Sequence, residues 1–150
     1  MRHILPVARL YCLGEGLDLG PGLDPFPGAR CVDDGGMYGL PAEFKNDFRD
    51  LSAHHDMDYV FSSAALEHCP EWRNVIGEAF RALRPGGVIF LYLPWDEHYA
   101  PWKPENCKGH AVSLNPAAVR EVLSDAGFVG IDGSVEPDSL ASFWIVGRKP

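Results

Sequence analysis

Glycine and acidic residues in two short stretches have the types and the spacing that bind a nucleotide-like ligand. The first stretch is GLDLGPG, residues 16–22, and the second is ARCVDD, residues 29–34. Glycine lets a ligand approach the backbone, and an acid at the tip of the second strand of an α/β sheet can accept hydrogen bonds from ribose hydroxyls. The candidate ligand-binding residues are Asp18, Gly20, Gly22, Asp33 and Asp34.

Two serines follow a third apolar run in the same way. The run MDYVFSS, residues 57–63, predicts a buried strand that opens into Ser62 and Ser63. In open α/β sheets, ligands bind beyond the carboxyl ends of the strands, where the strand order reverses. We therefore expect the two serines to lie at the same edge of the sheet as the glycine stretch.

The ligand is not predicted to be a dinucleotide. The fingerprint Gly-x-Gly-x-x-Gly needs a third glycine at the position where Pro25 stands. The fingerprint also places its acid about 20 residues after the glycines, whereas Asp33 lies much closer to Gly20. No helix is predicted after the glycines, so no helix N-terminus is available for a pyrophosphate. The chain also lacks the Gly-Lys-Ser/Thr of a P-loop and the Gly-x-Ser-x-Gly of a hydrolase.

Apolar periodicity predicts the elements that must position these residues. Residues 70–84 predict a helix, because apolar residues recur at i, i+3, i+4 and i+7 along one face. The run VIFLYL, residues 88–93, is apolar throughout, as expected for a strand that is covered on both faces of a parallel sheet. A second helix is predicted from Asn115 to Gly127, and two strands near residues 128–132 and 143–148 can pair antiparallel.

This order of elements predicts one α/β domain over residues 1–150. The expected fold is a Rossmann-like, open, mostly parallel sheet with an antiparallel C-terminal strand. Helices are expected on both faces, in three layers (α/β/α). One helix should be missing, because no helical pattern separates the first two strands.

An ordered set of motifs resembles the class I S-adenosylmethionine-dependent methyltransferases, particularly the methyltransferase type 11 group. The motifs are GLDLGPG, CVDD, NDFRDL, DYVFSSAALEHC, AFRALRPGGVIFLYLP and LSDAGF. The resemblance runs from about Gly16 to the C-terminus and is most specific over residues 57–94. It implies S-adenosylmethionine as the cofactor and in-line methyl transfer to a small-molecule acceptor as the reaction.

The resemblance implies roles for the residues of the first two stretches. Asp18, Gly20 and Gly22 match the motif whose backbone and acid surround the methionine end of the cofactor. Asp33 matches the acid on the ribose hydroxyls, and its neighbour Asp34 is the alternative.

Five more residues match cofactor-binding positions of the family. Asp47 and Phe48 match the pair beside the adenine, where an acid accepts from the exocyclic amine and the next backbone N–H donates to the ring. Ser62, Ser63 and Leu66 match the strand-tip segment that lines the cofactor below the methyl group.

The chain departs from the family between its first two strands, where a helix is usual. Here only residues 21–28 connect them. Eight extended residues span up to about 26 Å, more than the roughly 17 Å of a five-residue strand, so a proline-stiffened link can still return the chain. A sulfonium cofactor without phosphates needs no helix dipole, which favours S-adenosylmethionine over NAD.

Two histidines are candidate catalytic residues. His68 follows a strand tip and could act as a general base on the acceptor, or it could pack against the helix near Pro70. His110 belongs to residues 94–113, a Trp- and Pro-rich segment that could be a lid over the acceptor site or a packed surface loop.

No metal site is predicted from spacing. Cys107-x-x-His110 supplies half of a zinc pattern, but no second pair of matching spacing exists, and the run AHHDMD reads as a solvated loop. The four cysteines show no CxxC pair and no secretory or membrane segment is evident, so a cytoplasmic protein with reduced thiols is expected. The net charge of −8 argues against a nucleic-acid partner.

Two other functions remain open at this point. One is a binding or assembly module that keeps the fold without turnover, which the shortened link motivates. The other is a dinucleotide-binding oxidoreductase. Without a helix after the first strand, one sheet face should need another cover: residues 1–15 with their apolar side chains, a second copy in a homodimer, or both.

Overall fold

The computed structural model describes residues 3–33, 47–103 and 105–150. Its helices are α1 (Leu5–Tyr11), α2 (Trp72–Ala82), α3 (Asp96–Trp102) and α4 (Pro116–Asp125), with 3₁₀ helices at Leu66–His68 and Asn106–Gly109. Its strands are β1 (Gly16–Leu19), β2 (Arg30–Val32), β3 (Met57–Ser63), β4 (Leu83–Pro94), β5 (Val129–Gly133) and β6 (Ser142–Arg148).

The six strands form one sheet in the order β2-β1-β3-β4-β6-β5. The strands β2, β1, β3 and β4 are parallel, and β6 runs antiparallel to both β4 and β5. The predicted open, mostly parallel sheet with an antiparallel C-terminal strand is therefore confirmed. The strands β2 and β3 lie on opposite sides of β1, so the strand order reverses at β1, where ligands bind in such sheets.

One face of the sheet packs against α2 and α4. The buried side chains of α2 and α4 form one core with alternate residues of β1, β3 and β4. The Asn115 side chain accepts a hydrogen bond from Ala118 N at 2.9 Å, which confirms the predicted helix cap. The helix α2 ends at Ala82, two residues earlier than predicted, because Leu83 already pairs with Met57 in the sheet.

The opposite face is covered without a helix between β1 and β2. The link between them contains no helix, as predicted, and β1 and β2 pair in parallel. Phe26 of this link is buried, and its ring centroid lies 5.5 Å from that of Tyr59 and 4.7 Å from that of Phe61. A single aromatic side chain thus fills the part of the face that a crossover helix normally covers.

The short helix α1 packs on the same face. Ile4, Ala8 and Cys12 are buried at helical spacing and join the cluster around Phe26. No helix was predicted in this segment. An isolated seven-residue helix is unstable in water, so packing on the sheet accounts for α1. Leu10 and Leu13, which the sequence placed among the covering side chains, are instead 73% and 67% exposed.

The segment at residues 94–113 contains two short helices that the sequence did not predict. It contains α3, with Asp96 and Glu97 in its first turn, and the 3₁₀ helix Asn106–Gly109. Acidic residues favour a helix N-terminus through the helix dipole. The longest helix in the described ranges has 11 residues, and none there could cross a lipid bilayer.

Candidate active site

The turn after β1 packs directly against the tip of β3. Gly20 has φ +67° and its N–H donates to the Val32 carbonyl at 2.9 Å. A Cβ atom on Gly20 would lie only 2.5 Å from the Cβ atom of Ala65, so no side chain fits there. Gly22 also has a positive φ, but nothing lies within 4 Å of its missing Cβ atom. The turn therefore has no space for a side chain at Gly20, whereas in the described part of the chain nothing fills the space beside Gly22.

Asp18 lies beneath this turn and is 1% exposed. Its Oδ2 accepts a hydrogen bond from Phe26 N at 2.7 Å, which ties the β1–β2 link to the sheet. Burial raises the pKa of Asp18 to about 7, and the charges of Asp24 and Asp33 act in the same direction. Within the described residues, its Oδ1 has no hydrogen-bond partner. This buried, unpartnered oxygen suits a cationic group.

The predicted ribose acid follows β2. Asp33 is partly buried and comes directly after Val32, whose carbonyl holds Gly20 N. The parallel pairing of β1 and β2 therefore places Asp33 beside the glycine turn, as the sequence predicts for strand tips. Asp34, the alternative acid, lies outside the described residues.

Phe48 and Asp47, the two residues predicted to bind adenine, make different contacts. A Phe48 ring atom lies 3.9 Å from the position that a Gly20 Cβ atom would occupy, so Phe48 joins the glycine turn. The Asp47 carboxylate instead accepts two hydrogen bonds from Arg49 Nε, at 2.8 and 2.6 Å, and this pairing lowers its pKa. An adenine amine would have to share this carboxylate with Arg49.

The three predicted residues around the β3 tip differ in exposure. Ser62 is fully buried, and its hydroxyl donates to the Leu19 carbonyl at 2.9 Å. Leu66 is 1% exposed and belongs to the core on the α2 face. Ser63 is partly exposed. Ala65, which packs against Gly20, is a residue of this tip that the sequence analysis did not single out. The buried side chains of Ser62 and Leu66 thus anchor the end of β3 in the core.

The two candidate histidines are neighbours in the structure. Their ring centroids are 5.2 Å apart, although 41 residues separate them in the chain. His68 Nδ1 donates to the Gly109 carbonyl at 2.7 Å, and His110 Nδ1 donates to Asp96 Oδ1 at 3.2 Å. The Glu67 carbonyl accepts from Ala111 N at 2.7 Å. The bonds of His68 and Glu67 connect the end of β3 to the segment that follows α3, and the bond of His110 connects that segment to the start of α3.

Glu67 is a residue of this group that the sequence did not indicate. It is 2% exposed, and burial raises its pKa to about 8. Its Oε1 lies 3.9 Å from His68 Nε2, and its Oε2 has no hydrogen-bond partner in the described ranges. An acid before a histidine at a turn usually faces solvent, so the sequence carried no signal for the burial of Glu67.

A cavity of about 400 Å³ adjoins the histidines. Its volume lies within the usual range for small-molecule sites, roughly 300–1,000 Å³. The lining includes Asp96 and His110, and the Tyr99 ring stacks against His110 with centroids 5.8 Å apart. His68 and Glu67 do not line it.

Comparisons with known proteins show the family to which the chain belongs. The family model described as a methyltransferase domain matches residues 17–91, half of the chain. A probable S-adenosylmethionine-dependent methyltransferase from Mycolicibacterium smegmatis is 33% identical over 73 residues, which are 48% of this chain and 28% of that protein. Anamorsin homolog 2 from Picea sitchensis is 36% identical over 97 residues, 63% of this chain and 29% of that protein.

The fold has solved counterparts as well. The crystal structure of an S-adenosylmethionine-dependent methyltransferase from Thermotoga maritima superposes with a TM-score of 0.80 and 16% identity, covering 97% of this chain and 87% of that chain. At this identity the likeness concerns the fold alone. The matches to the two curated relatives span less than a third of the length of each relative.

Proposed function

Because the chain belongs to the methyltransferase domain family, we propose that it transfers a methyl group from S-adenosylmethionine to a small-molecule acceptor. The observation that supports this most is the glycine turn. Gly20 and Gly22 lie at the carboxyl end of β1, where the strand order reverses, with Asp33 beside them. This is where an open α/β sheet binds its ligand.

The residues of the strand tips would hold the cofactor along this edge. Asp18 offers its unpartnered Oδ1 to the cationic methionine end, Gly20 and Gly22 let the chain approach it, and Asp33 accepts from the ribose hydroxyls. Phe48 lies beside the turn, where adenine would bind. Bound S-adenosylmethionine supplies a methyl group that its sulfonium already activates, so the protein contributes alignment and exclusion of water.

The acceptor would bind in the cavity beside His110. The sequence predicts His68 and His110 as catalytic residues, and His110 lines the cavity. Helix α3 contributes part of the same lining, so it separates the acceptor from solvent on that side. The cavity volume of about 400 Å³ suits a small molecule.

A catalytically silent binding module is the second candidate. The β1–β2 link has no helix and gives the cofactor less backbone to bind, and one curated relative does not carry an enzyme name. Calorimetry with S-adenosylmethionine and S-adenosylhomocysteine tests whether the cofactor binds. Incubation with methyl-labelled cofactor and a cell metabolite extract then tests turnover. No binding at millimolar cofactor contradicts the proposal, and binding without any labelled product favours the silent module.

Asp33→Ala is expected to weaken cofactor binding by about 1–3 kcal/mol, because the ribose donors lose a charged acceptor. Isothermal titration calorimetry measures the loss. The matched control is Asp125→Ala, which removes an exposed acid at the end of α4, far along the chain from the strand tips. If Asp33→Ala and Asp34→Ala both bind S-adenosylmethionine like the unchanged chain, the ribose assignment is wrong.

The cytoplasmic location and the homodimer also remain predictions. Phe26 and α1 now occupy the sheet face that motivated a dimer. Leu10, Leu13 and Leu23 are exposed apolar side chains that a second copy could cover. Light scattering at micromolar concentration is expected to show a dimer, and a strict monomer would contradict that expectation.

A further inference from the structure

We propose that Glu67, His68 and His110 form a binding site for a divalent transition-metal ion, with Zn²⁺ as the best-matched ion. A carboxylate oxygen of Glu67 and one ring nitrogen of each histidine lie within 4.8 Å of one another. Zn²⁺ binds such nitrogen and oxygen atoms at about 2.0–2.2 Å. Small side-chain rotations would therefore bring the three donors around one ion.

The hydrogen bonds of both histidines match the outer shell of a metal site. Histidine ligands usually donate their other ring N–H to a carbonyl or a carboxylate, which fixes the tautomer and the ring orientation. His68 Nδ1 donates to the Gly109 carbonyl at 2.7 Å, and His110 Nδ1 donates to Asp96 at 3.2 Å. Each ring therefore keeps an unprotonated Nε2 that can bind an ion.

Glu67 supplies an independent reason to expect a cation. Its side chain is 2% exposed, and its Oε2 has no hydrogen-bond partner in the described part of the chain. An unpartnered buried carboxyl group is costly, whereas coordination to an ion supplies its missing partner. The other Glu67 oxygen, Oε1, already lies 3.9 Å from His68 Nε2.

A second donor set shares His110. Asp96, Cys107 and His110 also place one ligand atom each within 4.8 Å of one another. In that set Asp96 would be a ligand as well as the hydrogen-bond acceptor of His110 Nδ1, and the buried Oε2 of Glu67 would remain without a partner in the described part of the chain. The set with Glu67 satisfies more of the observed geometry, so Asp96 is assigned as a positioning residue.

Two histidines and one glutamate leave a coordination position open, as in catalytic zinc sites. His110 also lines the 400 Å³ cavity, so the open position would be available to a group bound there. Such a group would be a thiol or hydroxyl that binds Zn²⁺ as the anion and releases its proton to solvent. This last step rests on the proposed function, whereas the metal site itself does not.

Metal binding is measured on the metal-stripped full chain, without cofactor or acceptor. Zn²⁺ is titrated into the stripped chain in competition with a chromophoric chelator. Mass spectrometry of the chain as purified, before stripping, counts the ions that it retains. We expect one Zn²⁺ per chain. Asp96→Asn should weaken Zn²⁺ binding by about 10–100-fold, the usual effect of an outer-shell change, and Glu67→Gln, His68→Ala and His110→Ala should each weaken it at least as much.

Two variants serve as matched controls. His55→Ala removes an exposed histidine and should leave Zn²⁺ affinity unchanged. Cys107→Ser should also leave it unchanged, and the Co²⁺-loaded chain should show no thiolate charge-transfer band. Circular dichroism confirms that each variant is folded, and X-ray absorption on the unchanged chain counts histidine ligands without any substitution.

Three results would overturn the site. They are the absence of Zn²⁺ binding by the unchanged chain, unchanged affinity in the folded His68→Ala and His110→Ala variants, and loss of binding in Cys107→Ser with a thiolate band in the Co²⁺ form. Because S-adenosylmethionine binding is measured separately, failure of the metal site and failure of the proposed function are distinguishable.

Discussion

Replacing Gly20 with alanine is expected to destabilise the chain by about 2–5 kcal/mol and to abolish measurable S-adenosylmethionine binding. Two costs add up at this position. Alanine at φ +67° adopts a left-handed conformation, which costs roughly 1–2 kcal/mol. Its Cβ atom would also lie 2.5 Å from the Cβ atom of Ala65, so the turn must move away from Ala65. Denaturant unfolding and calorimetry measure the two effects.

Gly22→Ala is the matched control, because it shares the positive φ but not the close contact. Nothing lies within 4 Å of its missing Cβ atom, so only the backbone strain of about 1–2 kcal/mol is expected. Adding Ala65→Gly to Gly20→Ala should recover the part of the loss that comes from the clash. Equal destabilisation by Gly20→Ala and Gly22→Ala, without recovery in the double variant, would show that Ala65 does not constrain the turn.

Asp18→Asn should remove a pH dependence of stability worth about 4 kcal/mol between pH 4 and pH 7. Burial raises the pKa of Asp18 from 3.8 to about 7. In this range the unfolded carboxyl group loses its proton while the folded one keeps it. The contribution of Asp18 to stability is therefore complete below pH 4 and is lost as the pH rises to 7.

Asparagine keeps an oxygen that can accept from Phe26 N, so the tie to the β1–β2 link can survive. Urea unfolding of both proteins from pH 4 to pH 7, without cofactor, measures the difference between them. The exposed Asp125→Asn variant is the control and should keep the pH profile of the unchanged chain. Parallel profiles for Asp18→Asn and the unchanged chain would contradict the raised pKa of Asp18.

The sequence by itself determined the strands, the helices α2 and α4 and their order, but not α1 or α3. The apolar stripe of α2, the cap at Asn115 and the uninterrupted apolar run of β4 are local patterns, and local patterns set helices and strands. The link without a helix was also predictable, because residues 21–28 are too few and too rich in proline for one. The glycine turn and the acid after β2 were predictable from the residue types at the ends of the first two strands.

Only the tertiary structure decided which side chains meet. The contact of Gly20 with Ala65, the insertion of Phe26 into the open sheet face and the contact of His68 with His110 all join segments that are distant in the chain. Helix α1 likewise depends on the sheet, since seven residues do not form a stable helix alone. Periodicity describes which face of an element is apolar, whereas the distance between two elements depends on how their side chains fill the space between them.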